Sequence, residues 1–385
     1  MYIYMLYYIK NTNNVPSGTS QERRDLYMIY LDNAATTRPI TAHEEVKELL
    51  KEVGINPYDL WLNSHSSYSN GDYLLWICRE KISKIINCDP NEIIFTSGGC
   101  EGNSMVNYAI TTNIEHKSLI NNPTNNTIRV GTNGLVYKDS IKEMYNNIVW
   151  SNRAVPKMVS IQYVNNEVGV KQDIKSISEY VKKELRLPLH SDMVQALGKV
   201  KIDVKELGVD MATFSGHKIH GHKGVGFVYI GKDMDVKPLI YGGAQEFGVR
   251  GGTSDCEAIL NMTARIMYCD KHLEEHRDKV ATMKKLLVEN LPNGCIINHI
   301  NDSNIISIRT PLNGQYLVNR LAEKEIYIST GSACSTGEPS YVLKNLGLTN
   351  DECDATIRVS LDAEENSRED IDTFFEEIKG ILNEN

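Results

Sequence analysis

Between about residue 90 and residue 230 the sequence alternates short apolar runs with longer amphipathic segments. The apolar runs predict buried strands over residues 93–96, 158–164, 187–190, 211–214 and 225–230. Residues 173–185 predict a helix, because Ile174, Ile177, Val181 and Leu185 recur at helical spacing. Such an alternation favours a mostly parallel sheet covered by helices, in which ligands bind outside the carboxyl ends of the strands. The chemistry is therefore expected in the residues that follow each strand.

Composition narrows the class of protein. The 385 residues are 41% apolar and 24% charged, as in an ordinary globular protein of two or three domains. The net charge of −9 argues against a general nucleic-acid binder, and no apolar run reaches the roughly 20 residues that span a bilayer. The eight cysteines are scattered without a C-x-x-C pair, which disfavours a metal site or a disulfide scaffold. We therefore expect a cytoplasmic protein without nucleic-acid, membrane or metal partners.

The composition and the hydrophobic pattern of the sequence change on both sides of the alternating region. Residues 1–27 are rich in Tyr and Asn without a clear period, and they predict an N-terminal extension without stable structure before an alternative start at Met28. After about residue 257 the helices lengthen and the strands shorten, which predicts a second, smaller domain over residues 258–385. Ser367 and Asp370 predict the capped start of a closing helix, whose apolar stripe is core.

Polar residues that suit an anion or an aromatic ring follow three of the predicted strands. The first strand is followed by TSGGCEGNSM, whose small residues at a helix entry favour phosphate because free N–H groups and the helix dipole attract an anion. The second is followed by NNEVG, with Asn165 and Asn166, and Asp192 stands just after the third. Taken singly, each feature has a structural explanation: turn geometry for the glycines and amides, and a helix N-cap for the aspartate.

Residues 214–224 read FSGHKIHGHKG and concentrate nitrogen donors beside a predicted strand. A histidine metal site, a phosphate pocket and a lysine that forms a Schiff base all compete to explain them. His217, His220 and His222 lack i,i+4 spacing and a cysteine or carboxylate motif, so the metal site is disfavoured. Lys218 is a candidate nucleophile, because neighbouring cations and burial lower the pKa of a lysine amine.

Considered together, these strand ends describe a site for pyridoxal phosphate. Lys218 supplies the amine, and Asp192 supplies a carboxylate for the protonated ring nitrogen. Asn166 offers an amide to the ring oxygen, while Ser215 and His217 are good phosphate donors. No one of these signals is specific, but their order after successive strands is.

The motifs resemble the cysteine desulfurases of the NifS/IscS type, in the class V aminotransferase family of fold type I pyridoxal phosphate enzymes. The resemblance runs from about Met28 to Ile378. The matching motifs are YLDNAATT (30–37), FTSG–E–N (95–103), EHK (115–117), VNNEVGV–QDI (164–174), H-x-D–Q (190–195), SGHKIHG-x-KGVG (215–226), RGGT (250–253), TGSACS (330–335) and IRVSL (357–361).

The resemblance implies an α/β fold with a large cofactor domain over residues 28–257 and a smaller α+β domain over residues 258–385. In the large domain, a mostly parallel seven-stranded sheet is sandwiched by helices, and residues 28–42 pack on the small domain. The resemblance also implies a homodimer with pyridoxal phosphate at the subunit interface.

The resemblance also implies a role for each matching residue. Lys218 holds the cofactor covalently and moves the substrate proton, Asp192 pairs with the ring nitrogen, and His116 stacks over the ring and shuttles protons. The other implied cofactor contacts are Gly99, Cys100, Asn166, Gln195, Ser215, His217 and, from the other subunit, Thr253. Arg358 would clamp the substrate carboxylate, with Asn33 and Ala34 also at the substrate.

Cys334 is the implied acceptor of sulfur. Residues 329–337 are small and lack a hydrophobic anchor, which predicts an exposed, mobile loop. The implied reaction converts L-cysteine to alanine and leaves a persulfide on Cys334, for an iron–sulfur scaffold or a tRNA-thiolation protein. Two alternatives stay open: selenocysteine lyase or another class V enzyme, and a catalytically idle relative that acts as a binding protein.

Several positions depart from the family pattern. Cys100 stands where the family usually has threonine, His222 replaces a proline, and Asp255 replaces an asparagine. The motif expected near the front is blurred over residues 63–68, and the segment from Cys334 to Pro339 is about two residues shorter than expected. None of these changes removes a residue with a central chemical role.

Overall fold

A computed structural model describes residues 28–56, 71–151, 154–331 and 338–384 of the chain. The predicted N-terminal extension, the blurred motif at residues 63–68 and Cys334 lie outside these residues. The strands are β1 Ile29–Tyr30, β2 Ile93–Thr96, β3 Ala109–Thr112, β4 Asn126–Ile128, β5 Met158–Ser160, β6 Leu189–Asp192, β7 Met211–Ser215, β8 Gly226–Ile230, β9 Ile296–Ile297, β10 Ile305–Arg309, β11 Ile326–Tyr327 and β12 Thr356–Ser360.

Helices connect and cover these strands. The α-helices are His43–Val53, Gly71–Ile86, Gly99–Ser104, Lys117–Ile120, Lys138–Trp150, Ile174–Tyr180, Val204–Leu207, Cys256–Lys271, Leu273–Glu289, Gly314–Ala322, Tyr341–Asn345, Asn350–Asp354 and Arg368–Asn383. Short 3₁₀ turns cover Pro90–Glu92, Gly216–Lys218 and Gln245–Gly248, and a π turn at Val181–Leu185 extends the helix Ile174–Tyr180 to the end predicted from the sequence.

The predicted seven-stranded sheet is confirmed, in the order β2-β8-β7-β6-β5-β3-β4. Strands β7, β6, β5, β3 and β4 run parallel, whereas β8 is antiparallel to both β7 and β2. Strand β5 ends at Ser160 rather than at residue 164, because the Gln162 N–H donates to the carboxylate of Glu115 (3.0 and 2.9 Å). Strand β6 runs two residues beyond the prediction and ends on Asp192, so that this carboxylate lies at the carboxyl edge of the sheet.

The two largest of four hydrophobic clusters in the described chain belong to different sheets. The first surrounds the large sheet, and the second lies between the antiparallel sheet β12-β10-β9 and the helix Arg368–Asn383. Strand β1 pairs with β11, and Ile29 and Leu31 are buried in the second core, although they precede the large sheet in the chain. The helix Cys256–Lys271 packs in the first core, which places it with the large sheet although the predicted boundary falls at residue 257.

The closing helix begins as predicted. Ser367 and Asp370 form a reciprocal capping box, and the stripe that includes Ile371, Phe374 and Ile378 is buried. No helix in the described ranges is long and apolar enough to cross a lipid bilayer. Within the same ranges, no group of three or more His, Cys, Asp or Glu side chains could hold a metal ion.

Candidate active site

The carboxyl edge of the large sheet opens into a cavity of about 600 Å³. The sequence-predicted residues that line it are Ala34, Gly99, Cys100, His116, Asn166, Asp192, Gln195, Ser215, His217, Lys218 and Arg358. Residues that are more than three hundred positions apart in the chain thus meet at one site. This convergence was expected for the strand ends, because the parallel strands β5, β6 and β7 all end at this edge of the sheet.

Lys218 ends the 3₁₀ turn that follows strand β7. Its Nζ donates to the carbonyl oxygens of Ala34 (2.6 Å) and Ala35 (2.5 Å). Burial, the positive charge of Lys199 and then that of Arg358 lower the pKa of Lys218 to about 7. A substantial fraction of the amine is therefore neutral near pH 7, as a nucleophile for an aldehyde requires.

The turn that carries Lys218 is fixed to the rest of the molecule by its histidines. His220 Nδ1 donates to the carbonyl oxygen of Arg38 (2.7 Å), and its Nε2 lies 3.0 Å from Asp362 Oδ1. This contact raises the pKa of His220 against the effect of burial. His217 lines the cavity and bonds to Thr36 Oγ1 (3.1 Å), and burial lowers its pKa to about 4. Two of the three histidines in the sequence stretch thus hold the Lys218 turn in place.

Asp192 and His116 lie on the same side of the cavity and share a hydrogen-bond network. Asp192 Oδ2 accepts from Asn103 Nδ2 (2.7 Å), and Asp192 Oδ1 accepts from the Val194 N–H (3.0 Å). His116 caps the helix Lys117–Ile120 and makes Nδ1 contacts to the backbone nitrogen (3.2 Å) and the hydroxyl (2.8 Å) of Ser118. Burial lowers the pKa of His116, although the Asp192 carboxylate opposes the shift.

A small cradle lies between strands β2 and β7. Gly98 has φ of +136°, and a Cβ added there would lie 3.4 Å from Ser215 Oγ, in the space between the two segments. Gly102 allows the helix Gly99–Ser104 to pack directly on β7, since a Cβ at this position would lie 2.6 Å from Thr213 Cγ2. Ser215 is 2% exposed, and Cys100 is exposed where the sequence comparison expects a threonine. Small residues and a hydroxyl thus leave room for an anion at this end of the cavity.

The opposite side of the cavity contains Arg358 from strand β12. Its Nη1 donates to the carbonyl oxygens of Asn166 (2.8 Å) and Gly331 (3.2 Å), and its Nη2 donates to Asp32 Oδ1 (2.7 Å). Nε is buried and has no partner among the described residues. The guanidinium is therefore held in place, but by an ion pair with a carboxylate of the protein itself.

Glu167 stands beside Arg358 and is 5% exposed. Its Oε2 accepts from Ser340 Oγ (2.5 Å), and a Cβ added at Gly331 would lie 3.5 Å from the same oxygen. Burial raises the pKa of Glu167 to about 7, against opposing effects of Ser340 and Arg358. Glu167 thus contacts residues that flank the segment containing Cys334.

The positions of three predicted site residues, Asn33, Thr253 and Gln195, do not directly show the roles predicted for them. Asn33 is fully buried, its Nδ2 donates to the Ser360 carbonyl oxygen (3.0 Å), and it does not line the cavity. Thr253 is exposed and does not line the cavity of its own chain. Gln195 lines the cavity, but its Nε2 donates to the Ala34 carbonyl oxygen (2.9 Å), so that it also positions the segment that Lys218 contacts.

The residues that sequence reasoning missed are Asn103, Glu167, Lys199 and Asp32. Asn103 and Glu167 stand inside the quoted motifs FTSG–E–N and VNNEVGV, so the signal was present without an assigned role. Lys199 carried no signal, because a single lysine in a loop is usually solvated and only the packing shows its proximity to Lys218. Asp32 also stands inside a quoted motif, YLDNAATT, but its pairing with Arg358 could not be predicted, because the two residues are 326 positions apart in the chain.

Comparison with known proteins gives one consistent result. Residues 29–374 match the family model described as aminotransferase class V. The chain is 32% identical to the cysteine desulfurase IscS of Clostridium botulinum over 92% of this chain and 94% of the relative. It is 31% identical to the cysteine desulfurase IscS of Methanosarcina thermophila, with 92% of each chain covered.

Solved structures agree with the sequence comparison. A NifS-like protein from Rickettsia africae superposes with a TM-score of 0.81 at 30% identity, and covers 93% of this chain and 100% of its own. A structure described as SspA in complex with cysteine gives a TM-score of 0.71 at 27% identity over 86% of this chain and 98% of its own.

Fold and cavity therefore define the class: a fold type I enzyme of the kind that binds a cofactor through a lysine at the carboxyl edge of its sheet. More particularly, the chain belongs to the class V aminotransferase family, among the cysteine desulfurases.

Members of this family depend on pyridoxal phosphate, and the residues of this chain fit that cofactor. The cavity combines an amine with a lowered pKa (Lys218), a buried carboxylate with a donor on each oxygen (Asp192), and the small-residue cradle beside Ser215. These are the partners that an aldehyde, a pyridinium nitrogen and a phosphate each need.

Proposed function

We propose that the protein converts L-cysteine to L-alanine with the aid of pyridoxal phosphate and transfers the released sulfur to Cys334. The observation that carries the proposal is the convergence of Lys218, Asp192 and His116 on one cavity, with Arg358 on the opposite side. When bound, the cofactor would supply an electron sink for the substrate carbon that loses a proton. The residues of the chain would bind, orient and exchange protons around it.

Each side of the cavity has its own task in this proposal. The Lys218 amine would hold the cofactor and accept a proton from the substrate, which its lowered pKa favours near pH 7. Asp192 would keep the ring nitrogen protonated, and His116 would exchange protons with the substrate thiol. Arg358 would bind the substrate carboxylate as a planar fork once Asp32 no longer occupies Nη2.

The sulfur step balances without another reagent. The Cys334 thiolate would attack the sulfur of cysteine, so that the new S–S bond forms as the C–S bond breaks and alanine is released. A persulfide on Cys334 is the other product, and it carries the sulfur to an acceptor such as an iron–sulfur scaffold or a tRNA-thiolation protein. The structure described as containing cysteine is consistent with this substrate class for a relative of this chain.

The proposal is tested by cofactor binding and by turnover. Purified protein should be yellow, and borohydride should bleach the band and attach the cofactor to Lys218, as peptide mass spectrometry would show. Alanine, and sulfide released from the persulfide by an added thiol reductant, are then measured from L-cysteine for wild type, Cys334→Ala and the control Cys295→Ala, whose side chain does not line the cavity. Loss of activity in Cys334→Ala alone is expected. Full activity in that variant would contradict transfer through this thiol, and a preference for selenocysteine would favour the lyase alternative.

Three further parts of the proposal concern organisation. We propose a homodimer in which Thr253 of each subunit reaches the phosphate of the other, a division into large and small domains near the predicted boundary, and a cytoplasmic location. The exposed position of Thr253 outside the cavity of its own chain agrees with a role across an interface. Light scattering measures the oligomeric state of the wild-type holoenzyme and of Thr253→Ala, and the activities of the two proteins are compared. A monomeric, fully active wild type would contradict the shared site.

A further inference from the structure

A continuous hydrogen-bond chain links Asp192 to His116. Asn103 Nδ2 lies 2.7 Å from Asp192 Oδ2 and 2.9 Å from Ser118 Oγ. Ser118 Oγ lies 2.8 Å from His116 Nδ1, and the Ser118 backbone N–H also points at this nitrogen, at 3.2 Å. The chain runs through the wall of the cavity and involves two residues, Asn103 and Ser118, for which the reaction has no direct use.

Each bond in this chain has a fixed direction. An ionised carboxylate only accepts hydrogen bonds, so the amide group of Asn103 must present its NH₂ to Asp192. The second hydrogen of the same NH₂ is then donated to Ser118 Oγ, which leaves the hydroxyl hydrogen free for another partner. The backbone N–H of Ser118 donates to His116 Nδ1, which makes this nitrogen an acceptor, and the hydroxyl hydrogen is therefore directed to the same nitrogen.

A nitrogen that accepts two hydrogen bonds cannot carry a proton. Resting on the proposed function, we propose that Ser118, oriented by Asn103, is a positioning residue that holds His116 neutral with its only proton on Nε2. The imidazole then offers one defined donor to the cavity, and the same chain connects its protonation to the carboxylate of Asp192. Protonation of Nδ1 would require the hydroxyl to rotate away and the Ser118 backbone N–H to lose its acceptor.

Other charges around His116 act in both directions. Asp192 favours the protonated ring, whereas Lys218 and Lys117 disfavour it, and burial disfavours it most. The Ser118 hydroxyl adds to the groups that disfavour protonation, because the hydrogen that it donates to Nδ1 stabilises the neutral ring. Removal of one such hydrogen bond should therefore raise the pKa of His116 by roughly half a unit to one unit.

The test reads the histidine directly in the holoenzyme. Protein labelled with nitrogen-15 in its histidine rings is titrated from about pH 5 to about pH 9, which brackets the usual range of a histidine. The His116 signals are assigned by their loss in His116→Gln. In wild type we expect a protonated Nε2 and an unprotonated Nδ1 at neutral pH. Ser118→Ala should begin to protonate Nδ1 at a pH higher by roughly half a unit to one unit. Ser118→Thr, which keeps the hydroxyl, should restore the wild-type titration.

Two further variants test whether a shifted titration comes from the positioning of His116 or from a general change in structure. Asn103→Leu keeps the volume but removes the donor to Ser118, and should shift the titration in the same direction by less. Ser151→Ala removes a hydroxyl that donates to a helix carbonyl remote from the cavity, and should change nothing. A protonated Nδ1 in wild type, or a titration that ignores Ser118→Ala, would overturn the inference. This measurement does not depend on turnover. An inactive enzyme that shows the expected titration would therefore contradict the proposed function but not the inference about Ser118.

Discussion

The two sides of the cavity are built in different ways. The side proposed for the cofactor, called the cofactor side, is formed by residues 98–100, His116, Asp192, Ser215 and Lys218 at the carboxyl edge of one sheet. Burial is the largest influence on the pKa of both Lys218 and His116. The side proposed for the substrate, called the substrate side, is lined by Glu167, Gly331 and Arg358. An ion pair of Arg358 with Asp32 and a hydrogen bond from Ser340 to Glu167 hold it from behind, so that it joins residues near the chain start to strand β12. The comparison teaches that burial has the largest influence on the protonation of Lys218 and His116 on the first side, whereas an ion pair and hydrogen bonds hold the Arg358 guanidinium on the second.

The largest effect should come from the cofactor side. Lys218→Arg replaces a partly neutral amine with a permanently charged guanidinium that does not form a Schiff base with an aldehyde. The rate of alanine formation should therefore fall by about 10³-fold or more. The yellow band that borohydride bleaches should disappear as well. Lys232→Arg, on the surface away from the cavity, is the matched control and should behave as wild type. An Arg variant that still turned over L-cysteine would show that this side does not depend on its lysine.

The substrate side should respond more weakly and mainly in KM. Arg358→Lys loses the planar fork and part of its contacts to Asn166, Gly331 and Asp32, and kcat/KM for L-cysteine should fall by roughly 10- to 100-fold.

Asp32→Asn sharpens the same comparison. If the Asp32 carboxylate competes with the substrate carboxylate for Arg358, removal of its charge should lower KM by a few-fold, with kcat little changed. A higher KM in Asp32→Asn would mean instead that Asp32 holds the guanidinium ready for substrate. Steady-state kinetics of both variants at one pH decides between the two.

The same contrast explains what the sequence could predict. Lys218, Asp192 and Ser215 follow apolar runs whose alternation predicts a parallel sheet, and the geometry of such a sheet brings its strand ends together. The ion pair of Asp32 with Arg358 joins positions 326 residues apart and leaves no local pattern. The early end of β5 depends likewise on Glu115, which takes the Gln162 N–H. Non-local contacts of this kind appear only when the chain is folded.

The half-buried Lys199 lowers the pKa of the Lys218 amine on the cofactor side. After burial, Lys199 is the largest influence that lowers the pKa of Lys218, so Lys199→Met should raise that pKa by up to about one unit. The apoenzyme should then take up pyridoxal phosphate more slowly at pH 7, by up to about fivefold, because less of the amine is neutral. The rate of cofactor uptake by Lys199→Met should recover near pH 9, whereas a loss of rate caused by a packing defect would persist at that pH. Lys199→Arg keeps the positive charge and should resemble wild type. If the pH dependence of cofactor uptake were the same in Lys199→Met and in wild type, Lys199 would not influence the pKa of Lys218.

The smallest effect on turnover, but a clear one on stability, is expected from Glu167 on the substrate side. Its folded-state pKa of about 7 lies above the ordinary value of 4.5, so between these two values the folded chain holds a proton that the unfolded chain releases. This group therefore makes the protein less stable as pH rises through that window, by roughly 3 kcal/mol at most.

Glu167→Gln resembles the neutral acid and still accepts from Ser340, so the variant should match wild type near pH 5 and exceed it in Tm near pH 8. Glu179→Gln changes an exposed carboxylate and serves as the control. Thermal unfolding of the holoenzymes across this range is the measurement. Parallel curves for Glu167→Gln and wild type would mean that this carboxyl is charged throughout, and that pairing with Arg358 outweighs burial on this side of the cavity.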